Sequence, residues 1–244
     1  MTMRVGAVTI GQSPRPDILE ELLRSGLKGV EFVEAGALDG LSPRQIQALA
    51  PQANEVGLVT RLRDGTGIAV SAERVEPLVA ACLRRMESFD VKAVVLLCTA
   101  SFPSLTSTLL LFRPYQLLRA VAEALLTEGN LAVVVPHASQ LATVPGRWHM
   151  PEKQVLSAVL APYEEDASRL AELAVCLGNR EVGLVILDCL GYRRQVCTQL
   201  ARLCGVPVLS PRMMLASVLQ AFMSTFAGNY GGKSPPNDVA GVAQ

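Results

Sequence analysis

VVLLCTAS, residues 94–101, decides how the chain is read. Four aliphatic residues fit a strand buried on both faces, and the run then breaks into small, hydroxylated residues. Cys98 stands at the break. Inside a strand a cysteine is a small hydrophobe; at the exit of one, where an α/β fold opens to solvent, it can be a reagent. LVILDCLGY, residues 184–192, repeats the pattern with an aliphatic strand, Cys189, a glycine-containing turn and then a helical stretch. VGAVTIG (5–11) and LAVVVPH (131–137) open the two halves in a similar way. The chain reads as an imperfect duplication, each half carrying one thiol at an equivalent strand end.

Strand-like runs alternate with amphipathic helices along the whole chain. Strands are expected near Arg4–Ile10, Gly29–Glu34, Val56–Thr60, Lys92–Leu97, Leu131–Pro136, Val182–Asp188 and Val206–Leu209. Helices are expected near Pro14–Ser25, Pro43–Leu49, Ala72–Ser88, Pro114–Glu128, Asp166–Leu177, Arg193–Cys204 and Arg212–Phe226. Such alternation predicts parallel strands joined by crossover helices, an α/β fold. Ser42-Pro43 with Gln45 spells a capping box, and Ser13-Pro14 repeats the cap-then-proline arrangement after the first strand. Val75, Leu78, Val79, Cys82 and Met86 share one helical face, which makes Cys82 core; Cys176 and Cys204 read the same way. Residues 228–244, rich in Gly, Pro and Asn, read as a flexible tail.

Composition narrows the function. Half the chain is apolar, and 22 basic residues balance 22 acidic ones, with no basic block. Nucleic acid and anionic membrane surfaces are therefore not expected partners. The aliphatic runs are too short to span a bilayer, and the N-terminus lacks a signal-peptide layout, so a cytoplasmic protein is expected. Six cysteines in apolar contexts predict free thiols. With no CxxC and two histidines, no metal site is expected. GxGxxG, GxxxxGK(S/T) and GxSxG are all missing, which argues against a nucleotide-dependent enzyme and a serine hydrolase.

The remaining chemistry gathers at strand ends, where ligands of α/β folds collect. Two thiols on opposite sides of a small substrate can move a proton at carbon, one as thiolate base and the other as thiol acid. A helix N-terminus beyond each cysteine would favour the thiolate. In TIGQSPRPD (9–17), Gln12, Ser13 and Arg15 are candidates to hold a carboxylate; alternatively Ser13 caps the helix and Arg15 is solvated. Thr99, Ala100 and Ser101 are candidates to hold a carboxylate or enolate, or else cap the next helix. Leu190, Gly191 and Tyr192 form the corresponding set, with Gly191 turning the backbone and Tyr192 either donating or packing. Pro136 and His137 end the strand that opens the second half, and Arg61 is a further cation near the cleft. Alternation should turn Asp188 away from Cys189, to cap a helix or hold a loop. Trp148 and His149 read as loop packing.

AVTIGQSPRPD, LLCTAS, VVVPHASQL and LDCLGY together resemble the AroM family, over nearly the whole chain up to the tail. That family is similar to the aspartate/glutamate/hydantoin racemase superfamily. The resemblance implies two pseudo-symmetric three-layer α/β units with mainly parallel sheets and an active site between them. It implies units of 1–113 plus 205–227 and 114–204, the last strand and helix returning to the first. By position Cys98 matches the first catalytic cysteine and Cys189 the second. Where glutamate racemases read Cys-Asn-Thr-Ala-Ser, this chain reads Cys98-Thr99-Ala100-Ser101; Asp188-Cys189-Leu190-Gly191-Tyr192 is closer to the Gly-Cys-Ala-Gly-Met of hydantoin racemases. The resemblance implies a racemase or isomerase of a small carboxylate that needs no cofactor, and a homodimer. A non-catalytic metabolite-binding protein and a single-cysteine decarboxylase are the alternatives.

Overall fold

The computed structural model, which describes residues 2–163, 166–178 and 180–226, turns both aliphatic runs into central strands of parallel sheets. The first half comprises β1 (Met3–Thr9), α1 (Pro16–Arg24), β2 (Val30–Gly36), α2 (Pro43–Gln47), β3 (Gly57–Arg61), β4 (Gly67–Ser71), α3 (Ala72–Met86), β5 (Ala93–Leu96) and β6 (Leu110–Phe112). There follow α4 (Pro114–Leu125), β7 (Asn130–Val135), a 3-10 segment (Ala138–Thr143), α5 (Val144–Arg147), β8 (Val155–Val159) and α6 (Ala167–Gly178). The chain continues through β9 (Val182–Leu187), α7 (Arg194–Cys204), β10 (Val208–Leu209) and α8 (Pro211–Phe226). The tail expected over 228–244 lies outside the described residues.

One sheet runs β2-β1-β5-β6 and the other β8-β7-β9-β10, all parallel. Both halves therefore share one topology, in which the second strand lies on one side of the first and the third on the other. Strand order reverses between β1 and β5 and again between β7 and β9. At such points the connections diverge and leave a crevice at the carboxyl ends.

Each sheet is covered on both faces, which is why its central strands are mostly apolar rather than alternating. Val8, Val94 and Leu96 pack on Val75, Val79, Leu83 and Met86 of α3. Val5, Ala7 and Val95 face α1 and α8 through Ile18, Leu22, Leu215 and Leu219. In the second sheet Ala132, Val134, Val185 and Leu187 meet α6 and α7. Leu131, Val133, Val135, Leu184 and Ile186 meet α4, Val144 and Trp148. The chain is thus α/β in three layers, twice over. Among the described residues no helix is long and apolar enough to cross a membrane.

Several expectations need correction. The strand expected at Val56–Thr60 is half of an antiparallel hairpin with β4, outside both parallel sheets. The short edge strands β6 and β8 were not expected, although both carry apolar residues. The last strand does not return to the first sheet, because β10 pairs with β9; α8 alone crosses back, packing on α1 and α4. Ser13 does not cap a helix: α1 begins at Pro16 after Arg15, and Ser13 donates its hydroxyl to Asp39 Oδ2 at 2.6 Å. No helix follows Cys98 directly; the chain runs irregularly to β6. Cys82 is buried in the core, whereas Cys176 is exposed beside Val175 on the outer face of α6. The capping box at Ser42 forms as read.

Candidate active site

The carboxyl ends of β1, β5, β7 and β9 converge on one cleft. Ile10, Leu97, Cys98, Thr99, Ala100, Pro136, Asp188, Cys189, Leu190 and Gly191 all line it. It is narrow, with a cavity volume of about 30 Å³. That is room for a few waters at most, so a ligand must widen the cleft to enter. Leu58, Val59 and Thr60 of β3 cover one side, and Gln140, Arg147 and Tyr163 of the second half cover another.

The two thiols are held alike. Cys98 Sγ accepts the Ala100 N–H at 3.3 Å, and Cys189 Sγ accepts the Gly191 N–H at 3.2 Å. Each is the residue two positions ahead, so the pseudo-symmetry of the sheets extends to the sulfurs. Alternation places Cys98 on the α3 face of its sheet and Cys189 on the α6 face of its own, each toward the helix that precedes its strand. Burial dominates their electrostatics. It pushes the Cys98 thiol up to about 12, against the Ala100 N–H; the neighbouring Cys189 and Asp188 push the same way and Arg147 opposes. Burial likewise pushes Cys189 up to about 11, with Asp188 adding to the rise and the Gly191 N–H, Arg212 and Arg15 opposing it. Both thiols are therefore protonated in the empty cleft.

Arginines surround the cleft, Arg15 and Arg147 in its lining and Arg61 and Arg212 behind it. Arg15 is buried with every nitrogen engaged. Nε and Nη2 hold Asp17 at 2.9 and 2.8 Å, Nη1 donates to Thr9 at 3.1 Å and Thr60 at 3.4 Å, and Nη2 donates to the Tyr163 hydroxyl at 3.1 Å. Arg61 stacks on the Tyr163 ring at 4.1 Å. Arg212, from the first turn of α8, donates to the carbonyls of Leu190 and Gly191 and to Glu21 of α1, tying the Cys189 loop to the first half. Arg147 donates Nη2 to Thr99 O at 2.7 Å and pairs through Nη1 with Asp188 at 3.1 Å. Thr99 in turn donates its hydroxyl to Asp188 O at 3.0 Å, so the halves are bonded directly beside the sulfurs.

A family model described as AroM protein matches residues 5–223. The chain belongs to the AroM family. No curated protein matches it in sequence. Its fold is that of the aspartate/glutamate racemase superfamily, as three solved structures illustrate. Glutamate racemase from Bacillus anthracis gives a TM-score of 0.62 at 14% identity over 92% of this chain and 82% of that one. Allantoin racemase from Pseudomonas fluorescens gives 0.58 at 14% identity over 98% and 100%. Unliganded arylmalonate decarboxylase gives 0.56 at 16% identity over 97% and 96%. At these identities the likeness is one of fold.

In this AroM protein the sequence-derived candidates divide. Cys98, Cys189, Arg15, Thr99, Ala100, Pro136, Leu190 and Gly191 line the cleft. Gln12, Ser13, Ser101, His137 and Tyr192 do not. Gln12 braces the β3–β4 turn by accepting the Arg63 N–H at 3.0 Å. Ser101 is exposed, and His137 turns back to cap the 3-10 segment through Ser139. Tyr192 is fully buried and donates to Leu160 O at 2.7 Å, which makes it packing. Gly191 lies so close to Pro162 and Tyr163 that a Cβ there would sit 2.8 and 3.0 Å from their carbons. Sequence reasoning missed Thr60, Gln140, Arg147, Tyr163 and the place of Asp188 in the cleft lining. Trp148, read as loop packing, is fully buried and donates Nε1 to Asp188 Oδ2 at 3.0 Å. Alternation does turn the Asp188 side chain from Cys189 toward Trp148, while the residue itself lines the cleft. A buried carboxylate at a strand end, beside a strand-end cysteine, was the one signal that pointed to it.

Proposed function

We propose that this protein is a cofactor-independent racemase or isomerase of a small carboxylate or related carbon acid, in which Cys98 and Cys189 exchange a proton at one carbon. The observation that carries the reading is the pairing of two thiols at equivalent strand ends, on the walls of one cleft, each held by the N–H two residues ahead. One thiol, as thiolate, takes the proton from one side of the carbon, and the other returns a proton from the opposite side. Cys189 reaches the thiolate more readily of the two, since Arg212 and Arg15 both lower its pKa against burial, and it serves as the base. Cys98 holds its proton more tightly and serves as the donor. The substrate carboxylate takes Arg147, whose Nε has no partner, rather than Arg15, whose donors are spent.

Incubation of candidate carbon acids with the protein in deuterated water tests the reading. Solvent deuterium should enter at the carbon next to the carboxylate, and Cys189→Ala should abolish it while Cys82→Ala leaves it near the wild-type rate. A broad panel showing no exchange with intact thiols would refute the reading and leave a non-catalytic binding protein. One observation favours a second enzymatic version: both thiols are protonated in the empty cleft. A decarboxylase needs only one neutral thiol as donor to a carbanion, and activity surviving in Cys98→Ala with carbon dioxide release would select it. We propose further that the protein works in the cytoplasm as a homodimer, without nucleic acid or membrane as partner.

A further inference from the structure

Among the described residues Asp188 is the one acid lining the cleft, and one of its carboxylate oxygens is unspent. Its side chain is fully buried. Oδ2 accepts the Trp148 Nε1–H at 3.0 Å and pairs with the Arg147 Nη1 cation at 3.1 Å. Oδ1 is buried with no hydrogen-bond partner, and so is Nε of Arg147. A buried carboxylate oxygen left without a donor costs more than an unsatisfied neutral group. The indole and the guanidinium fix the orientation of the carboxylate, so Oδ1 cannot rotate to borrow one of theirs. The same residue presents its carbonyl to Thr99, which anchors it from the opposite half.

We propose that Asp188 Oδ1 is the receptor for a hydrogen-bond donor on the substrate. The substrate is then a carbon acid bearing an ammonium, amide N–H or hydroxyl near the reacting carbon, rather than a plain diacid. The unpartnered Arg147 Nε stands ready beside it for the carboxylate, giving an acceptor and a donor fixed to each other by their own ion pair. This builds on the two-thiol reading for the reaction, but it concerns recognition and involves no proton transfer at carbon.

Alkylating probes test it without a known substrate. Iodoacetamide carries an N–H donor two bonds from the carbon that sulfur attacks, and methyl iodoacetate has a similar shape with none. The ratio of their rate constants at Cys189, read by peptide mass spectrometry, is divided by the same ratio at exposed Cys176. This removes the intrinsic difference between reagents, and the thiolate fraction cancels. The expected preference for iodoacetamide at Cys189 is fivefold or more. In Asp188→Asn the amide oxygen must stay with Trp148 and Arg147, both of which are donors, so the NH₂ group takes the place of Oδ1. The preference should then fall below twofold.

A wild-type preference under fivefold overturns the proposal, and so does a preference that survives in Asp188→Asn. So too does the failure of either reagent to enter while Cys176 reacts. The wild-type ratio decides even if the variant does not fold. A negative result here leaves the deuterium experiment free to succeed, and the reverse also holds.

Discussion

Cysteine alkylation at pH 8.5 should be slow at both cleft thiols, and the amount follows from their surroundings. A free cysteine, with its pKa of about 8.5, is half thiolate at that pH. Cys189, pushed to about 11, should be roughly 0.3% thiolate, and Cys98, pushed to about 12, roughly 0.03%. Iodoacetamide should therefore modify them about 150-fold and about 1,500-fold more slowly than a small free thiol. The pH profile separates this from simple obstruction. A free thiol levels off above about pH 9.5, where it is nearly all thiolate. Cys189 and Cys98 should instead keep gaining about tenfold per pH unit through pH 10. The assay is quantitative peptide mass spectrometry after timed quenching at pH 7 to 10.5. Either thiol levelling off with the free-thiol reference would refute the argument that burial outweighs Arg15, Arg147, Arg212 and the two amides. It would instead restore the expectation, drawn from the sequence, of a depressed thiol. That expectation relied on a helix N-terminus after each cysteine, and none follows Cys98.

The same shifts bear on stability. The folded values lie above the unfolded ones, so the protonated thiols contribute stability that is complete below about pH 8.5 and lost as pH rises through 11 and 12. Between pH 8 and 10 this loss should be about 2 kcal/mol per thiol, and urea unfolding of Cys189→Ala should lack its share. Gly191→Ala would drive a methyl into Pro162 and Tyr163. It should cost about 1–3 kcal/mol by overpacking and raise the Cys189 alkylation rate several-fold as Tyr163 yields, both measurable on the purified variant. Leu219→Ala, at a fully buried site where α8 covers the first sheet, should cost about 2–5 kcal/mol in the same unfolding assay.

Much of the fold was legible because sheets buried on both faces write continuous aliphatic runs. Val94–Leu97 and Leu184–Leu187 announced β5 and β9, and the residues after them announced the cleft. Strands without that signature were misread. β3 looked like a parallel strand because its length and composition suit one, and only its pairing with β4 shows it to be a hairpin over the cleft. β6 and β8 are edge strands of three and five residues, too short for periodicity to separate their apolar runs from helix or loop. β10 was expected in the first sheet on the family resemblance alone, and only its pairing with β9 assigns it to the second.

The sequence by itself determined an α/β chain in two similar halves, with a thiol at matching strand ends, since hydrophobic periodicity and strand-end position are local properties. It also determined which side of β9 Asp188 takes, because alternation has a fixed period of two. Only the tertiary structure decided the company those groups keep. Burial depends on what covers a strand end, so the upward direction of both thiol shifts was decided by tertiary packing around the cleft. The same is true of Asp188, whose free oxygen exists because an indole and a guanidinium from the α5 region claim the other one.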